Sequence, residues 1–342
     1  MALVKILPVT YIATMPVKSL SYYIHAFSKL NVNRNKKMTS GVAPHKPVLL
    51  LSVIQAFEKE LISSTHIPIT PELIGLFKSN WNLLVKSPDW SPTFALPYYH
   101  LKSEPFWELV PNAGYETWIH QVSTRPSLAN LNIAVAYASI DEELCELLLN
   151  AQGRLALRQT LLQVWFPEAK ETVSSSYNYV DTVTHEILED NAVEYQTRIK
   201  QLQLEFDKEE YQEEIFLRGT IFKREIPRLY DFTCCISGLR IDSTLTLSLI
   251  DACHIVPFSK SHNDTVTNGI ALCPNLHRAF DRGLISLTDQ YEVLVSDRFT
   301  ESSSPYAIRP FAGKRIQLPS EEKYLPASEN LAWHRENVFQ KS

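Results

Sequence analysis

Residues 247–287 read LSLIDACHIVPFSKSHNDTVTNGIALCPNLHRAFDRGLISL. Positions 247–256 have the β-rich character of a strand, 259–267 form a polar loop, and Asn268-Gly269 opens a second short strand that ends at Cys273. Pro274 and Asn275 then start a helix, on which His277 and Asp281 stand at i and i+4 on one face. Strand, loop, strand and helix make a ββα unit with one histidine on the first strand and another on the helix. Such a platform can hold a single metal ion against a phosphate.

The residue types suit hydrolysis of a phosphodiester. A base must take a proton from water, and a neutral imidazole with a reference pKa of about 6.5 can do so near neutral pH. His254 is the candidate. Negative charge builds on the phosphate and the leaving oxygen, which one divalent cation, Mg²⁺ or Mn²⁺, can stabilise. His277 is placed to ligate it, and Asn268 to hold the loop and orient His254 by hydrogen bonding. Strand alternation puts Asp251 and Cys253 on one face, opposite His254. Of these two the Asp251 carboxylate suits a hard cation better than a thiolate does, and the second ligand stays open between them. Asp281 reads as a helix cap or buttress, and Arg278 and Arg282 as solvated or phosphate-gripping side chains.

These motifs carry a resemblance. The segment 230–285 resembles the HNH (His-Asn-His) endonucleases, in the branch with CxxSG (Cys234, Ser237, Gly238) before a Cys-His-Ile strand and with NGIALCPNLHRAFD as its ending. The resemblance implies a general base at His254, a structural Asn268 and a metal-binding His277. Cys253 stands where many relatives have Asp or His. The two CxxC pairs that many relatives use for a structural zinc are missing, so no zinc ribbon is expected.

The rest of the chain sets the context. Its 342 residues are 45% hydrophobic and 11% aromatic, enough for two folded domains. No stretch approaches the roughly 18 uninterrupted apolar residues of a membrane span. The five cysteines are odd in number and form no CxxC pair, which argues against a disulfide scaffold. A cytoplasmic, prokaryotic protein without a membrane partner is expected. The net charge of −5 argues against indiscriminate coating of nucleic acid. The first 50 residues nevertheless carry seven Lys or Arg and no Asp or Glu, either a solvated arm or a phosphate-contacting edge.

The fold class read from the pattern is α+β: a mainly helical N-terminal DNA-recognition domain with a short β-hairpin, a helical linker, and a C-terminal ββα-metal nuclease domain. The boundaries are 1–20 for an extension, 21–170 for the first domain, 171–215 for the linker and 216–342 for the nuclease domain. Helices are expected near 19–30, 48–61, 71–85, 131–149 and 154–166, and the hairpin over 96–110, where LPYYHLKSEPFWELV alternates aromatic and polar positions. The acidic 181–214 stretch reads as one linker helix; a homodimer seam there lacks a sustained heptad.

Target choice is assigned to the first domain. APHKPVLLLSVIQAF, FALPYYHLKSEPFWEL and NIAVAYASIDEELCELL resemble the sulfur-binding domain of McrA-type (type IV) restriction endonucleases, over roughly residues 21–167. The resemblance implies recognition of phosphorothioate-modified double-stranded DNA. A sulfur-substituted phosphate needs an apolar cup beside cationic or N–H donors. Pro97, Tyr98 and Tyr99 are the expected cup, with His45, Lys46, His100, Lys102 and Arg125 as donors. The alternatives are a noncatalytic DNA-binding module, and a nuclease acting on plain or otherwise modified DNA.

Overall fold

A computed structural model describes residues 18–34, 41–120, 126–168, 179–241 and 248–340. The N-terminal body contains α1 (Leu20–Ser28), α2 (His45–Glu58), β1 (His66–Ile67), α3 (Pro71–Leu84), α4 (Ala95–His100), β2 (Trp107–Pro111), α5 (Leu128–Ala134), β3 (Val135–Ile140), α6 (Glu142–Leu149) and α7 (Ala151–Trp165). Its heart is α2, whose Val48–Ile54 stretch is buried throughout, as a helix apolar on all sides must be. The three strands form an antiparallel sheet in the order β1-β3-β2, with Leu109 opposite Ala138.

Three helices follow: α8 (Tyr179–Glu189), α9 (Ala192–Glu205) and α10 (Lys208–Leu229). Each of α9 and α10 starts on a side-chain cap, Asn191 in a capping box and Asp207 on the Glu210 N–H. The C-terminal body contains β4 (Asp251–His254), α11 (Phe258–Ser261), β5 (Gly269–Leu272), α12 (Pro274–Asp281), β6 (Ile285–Leu287), β7 (Val293–Val295) and α13 (Ser328–Asn337). β4 pairs with β5 and β6 with β7, both antiparallel.

The α+β class and the ββα unit stand as expected, and three local expectations are corrected. In place of the first arm of a 96–110 hairpin stands α4, and β2 pairs with β3 instead of with its own upstream residues. The determinant is remote: the buried Glu213 carboxylate of α10 accepts from the N–H groups of Phe94 and Ala95 at 2.7 and 2.8 Å, capping α4. The expected helix 131–149 is split by β3, whose VAYASI run is β-branched and aromatic and is held between β1 and β2. The expected single linker helix is three helices packed on both bodies.

That packing is close. At Gly75 of α3 a Cβ would stand 2.3 Å from Val180 of α8. On α10, Glu214 pairs with Lys78 of α3 at 2.6 Å, both buried. Two turns further along the same helix, Phe222 and Ile226 lie against Gly269 of β5. Among the described residues no helix is long and apolar enough to cross a membrane.

Candidate functional site

The ββα unit is tied together through Asn268, which is fully buried at the start of β5. Its amide nitrogen donates to the carbonyls of Val256 and Asn263 at 2.9 and 3.0 Å, and its amide oxygen accepts from Val256 N–H at 2.9 Å. Three bonds from one side chain close the loop between the strands. Each replaces water that the buried carbonyl and amide groups cannot reach. Asn268 therefore fixes the backbone of the loop that leaves His254.

The ring of His254 has a different holder. Its Nε2–H donates to Oδ1 of Asp264 at 2.8 Å, and Asp264 is only 1% exposed. A carboxylate only accepts, so the proton sits on Nε2 and the lone pair on Nδ1. The opposite constraint comes from Phe222, whose ring stacks on the imidazole with centroids 3.9 Å apart and planes 11° from parallel. The expectation that Asn268 orients this ring by direct hydrogen bonding is thus corrected: the orienting group is Asp264, and Asn268 acts on the loop.

His254 and His277 line one cleft of ≈ 260 Å³ together with Pro257, Phe258 and Asp281. His277 on α12 has a carboxylate at each nitrogen, Asp251 at 3.2 Å from Nδ1 and Asp281 at 3.5 Å from Nε2. Among the described residues the one compact group suited to a cation is Cys253, His277 and Asp281, with ligand atoms all within 4.8 Å of one another. Cys253 is a poor member of it. Its side chain is wholly buried, burial and the neighbouring Asp281 hold the thiol well above its ordinary range, and the S–H has the His254 carbonyl at 3.6 Å and Asp281 Oδ1 at 3.9 Å as acceptors. Each carboxylate faces a different ring nitrogen, so His277 with Asp281 at Nε2, or with Asp251 at Nδ1, gives a nitrogen-and-oxygen donor pair that fits Mg²⁺ or Mn²⁺. Asp281, read from sequence as a buttress, thus joins the metal-suited side chains.

His334 of α13 backs this region without joining its chemistry. It stacks on Phe280 at 3.7 Å and bonds to Ser286 and to the Phe280 carbonyl, and burial lowers its pKa to about 4. It stays neutral and locks α13 onto α12.

The N-terminal body holds a larger cavity of ≈ 1010 Å³. His45, Lys46, Pro97, His100 and Lys102 all line it, so five of the residues singled out from sequence converge. Tyr98 and Tyr99 do not. Tyr98 is buried in the core, where its hydroxyl donates to Ile67 carbonyl and accepts from Ala138 N–H, bridging β1 to β3. Tyr99 is likewise buried, with its ring against Trp118 and under the Lys102 ammonium. The apolar wall is formed instead by Trp90, Leu96, Pro97 and Trp107. Arg125 lies outside the described residues.

The donors differ in availability. Lys46 is buried and paired with Glu104 at 2.6 Å, so its charge is already balanced. His45 bonds to the Ser91 carbonyl at 3.0 Å between Trp81 and Trp90, and burial lowers its pKa to about 4. Burial and the charges of Lys46 and Lys102 also lower His100. Lys102 donates to the Ile119 carbonyl and remains the cation least engaged by acid groups on this wall.

Residues 234–288 match the model of the HNH endonuclease family. This segment is an HNH endonuclease domain, a class of enzyme that hydrolyses phosphodiester bonds of DNA and uses a divalent metal ion. A modification dependent TagI restriction endonuclease of known structure is similar to the chain at 19% identity. That similarity covers 34% of this chain and 37% of the other, with a TM-score of 0.27. The chain therefore spans little more than a third of that structure in the matched region. No curated protein matches the chain.

Proposed function

We propose that the protein is a modification-dependent DNA endonuclease that reads a phosphorothioate linkage in the N-terminal cavity and cuts with a single metal-assisted histidine base. The observation that carries the nuclease half is that His254 and His277, 23 positions apart in sequence, line one cleft within the HNH domain. The recognition half rests on the N-terminal cavity, whose lining combines Trp90, Trp107 and Pro97 with Lys102 and His100. A larger, poorly hydrated sulfur favours the apolar side, while the retained negative charge favours the ammonium.

In this reading Nδ1 of His254 takes the proton from the attacking water, and Asp264 stabilises the imidazolium that results. His277, with Asp281 at one ring nitrogen or Asp251 at the other, would hold a divalent cation, which would supply Lewis-acid stabilisation to the phosphate. Asn268 keeps the loop, and with it His254, in register. Residues 21–170 serve as the reading domain and 216–342 as the cutting domain, in the cytoplasm of a prokaryotic cell. One such site cuts one strand per event, so breaking both strands takes a second copy or a second encounter.

Competition binding separates this reading from a nuclease of plain DNA. Phosphorothioate, methylated and plain duplexes of one sequence compete for the protein. The phosphorothioate duplex is expected to win by at least about tenfold, and a Lys102→Met variant, which loses a contact to the charge that all the duplexes carry, is expected to bind each of them more weakly; equal competition by all three duplexes rejects the assigned specificity while leaving the nuclease intact.

A further inference from the structure

The support of His254 does not stop at the edge of the HNH domain. Asp264 offers its second oxygen, Oδ2, to the hydroxyl of Tyr195 on α9, which donates across 3.4 Å from a fully buried ring. Tyr195 in turn lies under the guanidinium of Arg218 of α10, 5.5 Å from the ring centroid. Arg218 is 2% exposed and is fixed by Glu214 at 2.8 Å and by Glu186 of α8 at 2.7 Å. Glu214 also pairs with Lys78 and accepts from the Tyr179 hydroxyl at 2.7 Å.

The spacing on α10 gives this chain of contacts a single direction. Glu214, Arg218 and Phe222 stand four residues apart and so share one face of the helix. That face begins at Lys78 in the N-terminal body and ends with Phe222 flat on His254. The imidazole is thus gripped twice from the same pair of helices, once through Tyr195 and Asp264 and once through Phe222. All of these residues but Asp264 and His254 lie outside the segment 234–288 that matches the HNH family.

We propose that Tyr195, seated by Arg218, is a positioning residue for the cleavage reaction: it holds Asp264, and through it the ring of His254, in the orientation that leaves Nδ1 open to water. This rests on His254 being the base. The physical ground is that a buried carboxylate with two acceptor oxygens is fixed in rotation only when both are engaged. Loss of the Tyr195 hydroxyl frees Oδ2 and lets Asp264 and the imidazole turn together. A base misplaced by a fraction of an ångström loses rate without losing affinity for DNA.

The test uses the full-length protein. Tyr195→Phe keeps the ring under Arg218 and removes its hydroxyl, and with it the bond to Asp264. Its kcat on cleavable plasmid is expected to fall about tenfold, with KM for DNA unchanged and the half-maximal Mn²⁺ concentration unchanged. Made in an Asp264→Asn background, the same substitution is expected to cost nothing further, because the group it acts through is already altered. Wild-type turnover in Tyr195→Phe, or a further loss in the Asp264→Asn background as large as in the wild type, overturns the proposal. A raised KM in place of a lowered kcat overturns it as well. Should Asp264→Asn fall below detection, the single variant's kcat and KM decide. A wild-type protein inert toward every plasmid signals failure of the nuclease reading itself, a distinct result.

Discussion

Phe222 lies flat against the imidazole of His254, although 31 residues and two secondary-structure boundaries separate them along the chain. The contact sets α10 behind His254, on the buried side of the imidazole. The same helix caps α4 of the N-terminal body through Glu213, and α4 carries Pro97 and His100 of the large cavity. One continuous helix therefore touches both the scaffold of the N-terminal cavity and His254. Burial raises the Glu213 carboxyl to about 7, so the cap holds a carboxyl at the edge of ionisation near neutral pH.

The fit of α10 depends on Gly269 having no side chain. A Cβ there would stand 2.3 Å from Ile226 Cδ1 and 2.9 Å from Phe222 Cζ. Gly269→Ala is expected to push the helix from β5, costing about 1–3 kcal/mol in urea unfolding and lowering the cleavage rate through the displaced Phe222. Unchanged stability together with an unchanged rate shows that the contact does not matter to the site.

Metal dependence distinguishes the two side chains grouped with His277. Asp281→Asn removes a charged oxygen donor, and the divalent cation concentration giving half-maximal cleavage is expected to rise by roughly tenfold or more. Cys253→Ser preserves a donor to Asp281 and is expected to leave that concentration within about twofold of wild type. The reverse ranking in a Mn²⁺ titration assigns the metal to the thiol.

His45 contributes a pH dependence whose sign is fixed. Burial lowers its pKa to about 4 in the folded protein, from an ordinary value near 6.5. Below pH 6.5 the unfolded chain takes up a proton that the folded chain excludes. Stability from this group is thus present above pH 6.5 and is lost as pH falls toward 4, by up to about 3 kcal/mol. His45→Gln keeps an N–H for the Ser91 carbonyl and removes the titration. Urea midpoints at pH 7.5 and 4.5 are expected to fall further for the wild type than for the variant; equal falls remove His45 from the account.

Much of the cutting site was legible in the residues. β-rich positions, an Asn-Gly turn and a Pro-started helix are local signals, and they placed His254, Asn268 and His277 on the right elements. Asp264 escaped because it sits in a polar loop, where no periodicity tells which side chain turns inward. Phe222 and Tyr195 escaped because an acidic helical stretch gives no hint of its tertiary neighbours. In the N-terminal body, ALPYYH carries strand-like aromatics yet is helical, since the cap on its first turn comes from a carboxylate 118 positions away. Tyr98 looked like a cup residue for the same reason that it is a core residue: a large ring with a hydroxyl serves either place, and its bonds to Ile67 and Ala138 decide.

The central claim is that the His254 imidazole drives phosphodiester hydrolysis. Its most direct test is the rate at which supercoiled phosphorothioate-bearing plasmid is nicked in Mn²⁺ by the wild type and by His254→Ala. The account predicts cleavage by the wild type, a loss of at least about 100-fold in the variant, and DNA binding that persists in both. Equal cleavage by the two proteins contradicts it.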